Sequence, residues 1–472
     1  MKQKINALLI FTQVHFEVIA WVLFIFMIFF RALTCSFTTF DQDELEAIHT
    51  AWKISKGSMV YRDFFQHHHP LLYYCLIPLI NFFGQTLKTL VAARVLMHIN
   101  YLLCGIVTYL IASHIFNRTS ALLSIFLLLF SSIFSKVIEI RPDGPQVLFG
   151  LLAVYFLFLY FDRKHLLLLF FSALSLAISF LFLQKILFLI VLIGLVFLYK
   201  IYQKQISLLA LIFYISIFCI ALIPYYSYLV YTNALHYYFI FNWLFNIMHP
   251  ERFYPMHTLM ELFLNKLLLF GYALGLIYYL HTQNQKIVAF FSLSLLFIAI
   301  FIVKFSFPQY YAPAIPFIAM IAAYGYYVIF DGQKDKILLM IFIIAAQPFI
   351  SYSFILAKMI IKGKNNNEQH EKINYVLSHT KPGDTIYDGK NIFNIFRDDI
   401  DFMWFQIKQN HDKSSITDLY KSLTGKSYDI YQAIENKKPK IISNYYLDME
   451  HPIIKNNYKK SLKYNDLYIR KN

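Results

Sequence analysis

The chain has 472 residues, of which 58% are hydrophobic, 19% aromatic and only 15% charged, with a mean hydropathy of +0.53 and a formal charge of +15. A soluble domain carries roughly a quarter charged residues, so this composition excludes an ordinary soluble protein. The basic residues are scattered over short loops and a C-terminal tail without forming a stripe, which argues against nucleic acid as a partner.

Apolar blocks recur between residues 16 and 361, and about 20 helical residues cross a bilayer core about 30 Å thick. They predict an all-α polytopic membrane protein with about eleven spans, at 16–34, 88–113, 119–137, 144–161, 165–183, 186–201, 206–231, 259–281, 287–304, 309–330 and 337–361. The first block follows Lys2 and Lys4 and has no small-residue cleavage site after it, so it reads as a retained signal anchor. Leu71 to Gly84 is apolar but short, contains Pro78 and follows a polar loop, which predicts a re-entrant or interfacial helix. Cys104 and Cys219 lie inside apolar blocks, while Cys35 and Cys75 fall in or beside one loop, where a disulfide is an option.

With a cytoplasmic N-terminus, the short inside loops hold Arg118, Arg163, Lys164, Lys200, Lys204, Lys286, Lys334 and Lys336, in keeping with the positive-inside rule. The exceptions are Arg62, Arg94, Arg141, Lys185, Arg252 and Lys304, which fall outside. The outside loop 35–87 and the polar clusters at 139–143, 184–185, 232–257 and 304–309 share that side. From residue 362 the composition turns to Lys, Asn, Asp and Tyr, and the turn Lys381-Pro382-Gly383-Asp384 and the alternating end SLKYNDLYIRKN predict a small α/β domain over 362–472, following a membrane domain over 1–361. Gly425-Lys426-Ser427 resembles the end of a phosphate loop, but Tyr420 stands where the first glycine belongs.

The first outside loop reads FDQDELEAIHTAWKISKGSMVYRDFFQHHHP. Leu45, Ile48 and Trp52 recur at helical spacing behind Asp41 or Asp43 as a cap, with Gly57 as a stop. Its acids have two readings: they cap the helix and favour its dipole, or one of them takes a proton from an incoming hydroxyl. His67, His68 and His69 cannot all face one metal ion from a helix, and they read as a wet interfacial cluster ahead of Pro70.

The sequence resembles the polyprenyl-phosphate-sugar-dependent glycosyltransferases of the GT-C fold, the group of bacterial aminoarabinose-lipid A transferase and protein O-mannosyltransferases. The residues that carry the resemblance are Asp43-Glu44, Ala51-Trp52, Gly57, Tyr61-Arg62-Asp63-Phe64-Phe65 and His68-His69-Pro70-Leu71. They continue in Glu139, Arg141-Pro142-Asp143, Gln184-Lys185, Gln309-Tyr310-Tyr311, Pro313 and Pro316. The resemblance implies a membrane glycosyltransferase, for hexosyl or pentosyl groups, that moves a sugar from a polyprenyl-phosphate donor to a hydroxyl of lipid A, an envelope glycan or a protein. Inversion at the sugar and a site on the non-cytoplasmic face of a bacterial inner membrane are implied with it. Asp43 takes the place of the family's essential acid, with Glu44 as its partner.

The donor's phosphate would be held by cations chosen from Arg141, Lys185, Arg252, Lys304 and Arg62, and His68, His69, Asp143, Gln309 and Tyr310 are candidates for the donor or acceptor pocket. His68 stands where the aminoarabinose transferases have a lysine. No resident metal is assigned, although Asp41, Asp43 and Glu44 are hard oxygen donors of the kind that suits Mg²⁺ or Mn²⁺. The competing class is a transporter or flippase of lipid-linked sugar. Such proteins place ionisable or helix-breaking residues near the bilayer midplane, whereas here the ionisable residues gather at one set of helix ends. A catalytically dead scaffold is a third class, which the presence of both Asp43 and Glu44 disfavours.

Overall fold

The computed structural model describes residues 14–36, 38–248, 262–282, 286–303, 307–346, 367–405 and 429–471, with isolated residues between them. In chain order the main helices are α1 (Phe16–Ser36), α2 (Gln42–Ser55), α3 (Leu71–Phe83), α4 (Leu87–Ile115), α5 (Arg118–Leu129), α6 (Asp143–Arg163), α7 (Leu166–Phe182), α8 (Leu187–Tyr202), α9 (Leu208–Tyr231), α10 (Lys266–Thr282), α11 (Ile287–Phe297), α12 (Ile315–Ile329) and α13 (Asn367–Ser378). Five strands follow or interleave: β1 (Thr385–Tyr387), β2 (Asp398–Asp399), β3 (Ile441–Ser443), β4 (Tyr458–Lys460) and β5 (Leu467–Arg470). The residues divide into two compact units, one of Met1–Ser36, Arg94–Leu222 and Glu251–Gly363, the other of Phe37–Ala93, Ile223–Pro250 and Lys364–Asn472.

The first unit is helical, and the second holds the apolar helix α3. Among the described residues, α1, α4, α6, α9 and the run Gln184–Tyr202 that contains α8 are long and apolar enough to cross a membrane, while α3, α5, α7, α10, α11 and α12 are apolar but shorter. On α1, Val18, Val22, Ile25 and Phe29 repeat at helical spacing and stay more than 60% exposed, an apolar stripe that lipid covers and water would not. The chain is a multi-pass membrane protein.

Three expected spans end differently from their hydropathy. The block at 119–137 gives a helix that stops at Leu129 and a separate 3₁₀ turn at Phe134–Ile138. The reason is Arg31, buried in α1, whose guanidinium donates to the Leu129 carbonyl at 2.5 Å and to the Tyr101 hydroxyl at 2.6 Å. Tyr101 donates to the same carbonyl. Two donors on the last carbonyl of α5 satisfy a group the helix leaves open, and the cation suits the negative end of its dipole. The block at 287–304 passes from α11 into a π turn at Ile298–Ile302 and then an extended Val303. The block at 309–330 begins as a 3₁₀ turn at Pro308–Tyr311 and becomes α12 only at Ile315, with Pro316 in its first turn, where a missing N–H costs nothing.

Helix α12 is held against α10 by close backbone approach. A Cβ on Gly275 would collide with the backbone of Ile321, and one on Gly325 would come within 2.6 Å of the Gly275 nitrogen and closer still to the Gly271 carbonyl. Gly271 and Gly275 make a small-xxx-small face, the arrangement by which membrane helices gain packing where lipid supplies no hydrophobic drive.

The second unit joins pieces that composition separates. Its five-stranded sheet has the order β2-β1-β3-β5-β4, parallel across β2, β1 and β3 and antiparallel across β3, β5 and β4. The Lys381–Asp384 turn leads into β1, closed by the Lys381 N–H donating to Asp384 at 2.7 Å. One core of this unit packs Met59, Tyr61, Phe64 and Phe65 of the first loop with Tyr238, Phe241 and Phe245 and with Met403, Trp404 and Phe405 of the tail. The Phe65 N–H donates to the Phe402 carbonyl, and the Trp404 indole donates to the Phe65 carbonyl at 2.9 Å. In α3, Cys75 is exposed; the Cys35 side chain, the other half of the disulfide option, lies outside the described residues.

The glycine contact yields a measurable consequence. Gly275→Leu must push α10 off α12, a small-to-large change that costs roughly 1–3 kcal/mol, and the detergent-solubilised variant should melt several degrees below wild type. An unchanged melting temperature would mean the close approach contributes nothing.

Candidate active site

Helix α2 carries the acidic cluster, and the structure separates its members by environment. Asp41 is the N-cap: its Oδ1 accepts from the Asp43 N–H at 3.1 Å, and Glu44 Oε2 accepts from the Asp41 N–H at 2.8 Å. This is a reciprocal capping box, worth about 1 kcal/mol to the helix. Glu44 is buried by it, whereas Asp43 stands exposed on the first turn. The capping reading is therefore met by Asp41 and Glu44, and the Asp43 side chain lies on the exposed first turn. For a divalent ion at Asp41, Asp43 and Glu44, two of the three carboxylates are already bonded to backbone N–H groups.

The other end of α2 is anchored to the tail. Asp399 of β2 accepts from the Lys53 ammonium at 2.7 Å and from His49 Nε2 at 2.9 Å, and His49 Nδ1 donates to the Ile395 carbonyl at 3.0 Å. Burial opposes a charge on Asp399, but the facing His49 and Lys53 outweigh it and hold the carboxyl below the usual carboxylate range. Between the two ends, Gln66 donates its amide to Glu46 and to Thr50, both at 3.0 Å, and its carbonyl oxygen accepts from the His67 N–H at 2.7 Å. The histidine segment is thereby tied to α2.

The histidines are not equivalent. His69 is fully buried, with Nε2 at 3.0 Å from the Tyr238 hydroxyl, while the His67 and His68 rings lie 3.9 Å apart and half-buried. The Tyr61 hydroxyl donates to the His68 carbonyl at 2.6 Å from a residue whose φ of 70° is left-handed, a backbone conformation uncommon for a non-glycine residue. Arg62 grips Asp63 with two N–H donors at 2.7 and 2.9 Å and donates a third to the Thr232 carbonyl at 2.9 Å. That hydrogen bonding holds the Asp63 carboxyl below its usual range.

The first unit holds the other candidates. Arg141 Nε lies 2.7 Å from Glu139, which Lys136 also reaches at 2.7 Å, so two cations share one carboxylate. Asp143 opens α6 and pairs with Lys185 at 3.2 Å, and the Lys185 ammonium sits 3.6 Å from the centre of the Tyr310 ring. Asp143, Lys185, Gln309 and Tyr310 line one pocket of about 30 Å³, so the structure unites four residues drawn from three separate stretches of the sequence. Gln146 lines the same pocket. It is 1% exposed, and its Nε2 finds no hydrogen-bond partner among the described residues. Sequence reasoning passed over Gln146 and the His49–Lys53–Asp399 cluster. The first was signalled by its i+3 spacing from Asp143 on one helix, and the second by nothing local, because Asp399 lies about 350 residues from its partners. Arg252 and Lys304 lie outside the described residues. Among those residues, no three of His, Cys, Asp and Glu converge as metal ligands.

Two measurements test this geometry. Asp399→Asn leaves a buried ammonium uncompensated and should cost roughly 3–5 kcal/mol of stability. In the wild type, a depressed carboxyl stabilises fully above its unfolded pKa of about 3.9 and loses that contribution as pH falls through the lower folded value. Acid scans should show the Asp399 contribution intact at pH 5 and lost below about pH 4, a loss that Asp399→Asn flattens. Gln146→Leu removes an unpartnered buried amide and should raise the melting temperature of donor-free protein by the equivalent of about 1–2 kcal/mol; a fall would show that the amide is satisfied.

The family model described as dolichyl-phosphate-mannose-protein mannosyltransferase matches residues 68–231. Among curated proteins, none matches by sequence. Solved structures align along most of the chain at low identity. ArnT from Cupriavidus metallidurans bound to undecaprenyl phosphate aligns with a TM-score of 0.67 at 12% identity, covering 97% of this chain and 97% of that one. The apo state of the same enzyme aligns with a TM-score of 0.60 at 11% identity, over 81% of this chain and 84% of that one. The Archaeoglobus fulgidus oligosaccharyltransferase in complex with Zn and sulfate aligns with a TM-score of 0.51 at 13% identity, over 91% of this chain and 69% of that one. Taken with its apolar helices and small terminal sheet, the protein is a multi-pass membrane protein with the GT-C fold of the ArnT structures.

Proposed function

We propose that this protein transfers a sugar from a polyprenyl-phosphate-sugar donor to a hydroxyl acceptor at the non-cytoplasmic face, with inversion at the anomeric carbon. The observation that carries the reading is the division of labour on α2, which keeps Asp43 exposed while its neighbours hold the helix end. A polyprenyl-phosphate carrier is supported by the aligned ArnT structure, which is bound to undecaprenyl phosphate.

In this reading Asp43 accepts the acceptor's proton as the new bond to the anomeric carbon forms, and the bond from that carbon to the phosphate oxygen breaks. General-base help of this kind is worth about 10²- to 10⁴-fold. The polyprenyl phosphate leaves with the negative charge, which needs fixed cations. Lys185 suits that role because Asp143 and the Tyr310 ring hold its ammonium in place at a pocket wall, and Gln146 adds an amide donor there. Arg141 is the second cation, in a cluster where two positive groups share Glu139 and a net positive charge is left over. The acceptor class stays open to a lipid, a glycan or a protein hydroxyl, and no step is routed through a metal ion.

Purified protein is incubated with radiolabelled polyprenyl-phosphate sugars and a mixed envelope-acceptor fraction, and label is followed by chromatography. Transfer by wild type should be lost in Asp43→Asn, at least about 10²-fold, with the fold retained. Lys185→Gln should raise the donor KM and lower kcat together. Wild-type-like turnover in Asp43→Asn would sink the assignment, and donor left intact by the wild type would shift weight to a transporter.

A further inference from the structure

A larger pocket lies at the far end of α8 from Lys185. Lys185 precedes the first turn of α8 and Lys200 sits in its last, a separation of about 22 Å at the helical rise. The pocket encloses about 710 Å³ between α8, the turn that follows it and the start of α11. The end of the helix that it occupies is the one where the sequence places the short basic loops.

Its lining is split by chemistry. Leu195, Val196 and Phe290 form an apolar wall, and Lys200, Gln203, Gln205 and Lys286 gather at the polar end. The Lys200 ammonium donates one proton to Gln205 Oε1 at 2.7 Å, and the Gln203 amide donates to the Tyr199 hydroxyl at 2.6 Å. No carboxylate lines the pocket. Lys200 and Lys286 thus line a concave, half-apolar space at the end of α8, with amides beside them and no carboxylate in the lining.

The geometry points to a binding site for one anionic phospholipid, its head-group phosphate against Lys200 and Lys286 and an acyl chain along Leu195, Val196 and Phe290. Charge complementarity selects the head group, since basic pockets between membrane helices attract anionic lipids. The apolar wall selects a lipid over a free anion, because inorganic phosphate would satisfy the ammonium groups and leave that wall wet. A zwitterionic lipid would fill the wall and bring its own cation to the lysines.

The test uses full-length protein, delipidated in detergent and titrated with dioleoylphosphatidylglycerol, with bound lipid counted by native mass spectrometry. Parallel arms use dioleoylphosphatidylcholine and inorganic phosphate. Wild type should retain one phosphatidylglycerol at least about tenfold more tightly than phosphatidylcholine, and Lys286→Gln with Lys200→Gln should erase the preference. Val196→Trp, which fills the apolar wall and leaves both lysines, should also lose the lipid. Equal retention of the two lipids by wild type, an unchanged preference in the double variant, or competition by inorganic phosphate without lipid binding would each overturn the assignment.

Discussion

A charge inside a low-dielectric medium must be paired, and this requirement organises the molecule. Arg31 is buried in a membrane helix and takes the terminal carbonyl of α5, so the charge that would be costly in lipid becomes the device that ends a helix. Lys185 is matched by Asp143 and the face of Tyr310, and Arg141 by Glu139. In the second unit Asp399 meets Lys53 and His49. Each pairing has a geometric by-product: a helix stopped, an ammonium aimed at a pocket, a helix tied to a strand.

The same economy fixes α2 at both of its ends. Backbone N–H groups at a helix start need acceptors, and Asp41 and Glu44 supply and receive them in one reciprocal box. The opposite end is secured through Lys53 and His49, and the middle through Gln66. Asp43 thus sits exposed on a helix that is fixed at both ends. The left-handed Tyr61 and the buried His69–Tyr238 contact hold the histidine segment in the same way, through tertiary partners and not through local propensity.

Helix packing in the first unit follows a second rule. Where both sides of a helix interface and the solvent are apolar, contact area alone discriminates little, and close backbone approach through Gly271, Gly275 and Gly325 supplies the packing. Helix α12 is thereby set against α10, and the 3₁₀ turn that leads into α12 brings Gln309 and Tyr310 to the pocket with Lys185.

Long apolar runs by themselves determined that the chain crosses a membrane, because no soluble fold can bury them, and the shift in composition at residue 362 marked the terminal sheet. The acids, the histidines and the Arg-Pro-Asp and Gln-Lys pairs were legible as candidates through their sidedness and their resemblance to a known group. Hydropathy could not say where α5 stops, since the signal is Arg31, about 98 residues from Leu129. It could not say which of Asp41, Asp43 and Glu44 cap the helix, because their spacing on it is compatible with each. Nor could it join Asp399 to Lys53, or Asp143 to Lys185. Those assignments came only from tertiary structure, because pairing a buried charge or a buried amide is decided by which groups the packed chain brings within about 3 Å, and sequence separation carries no information on that distance.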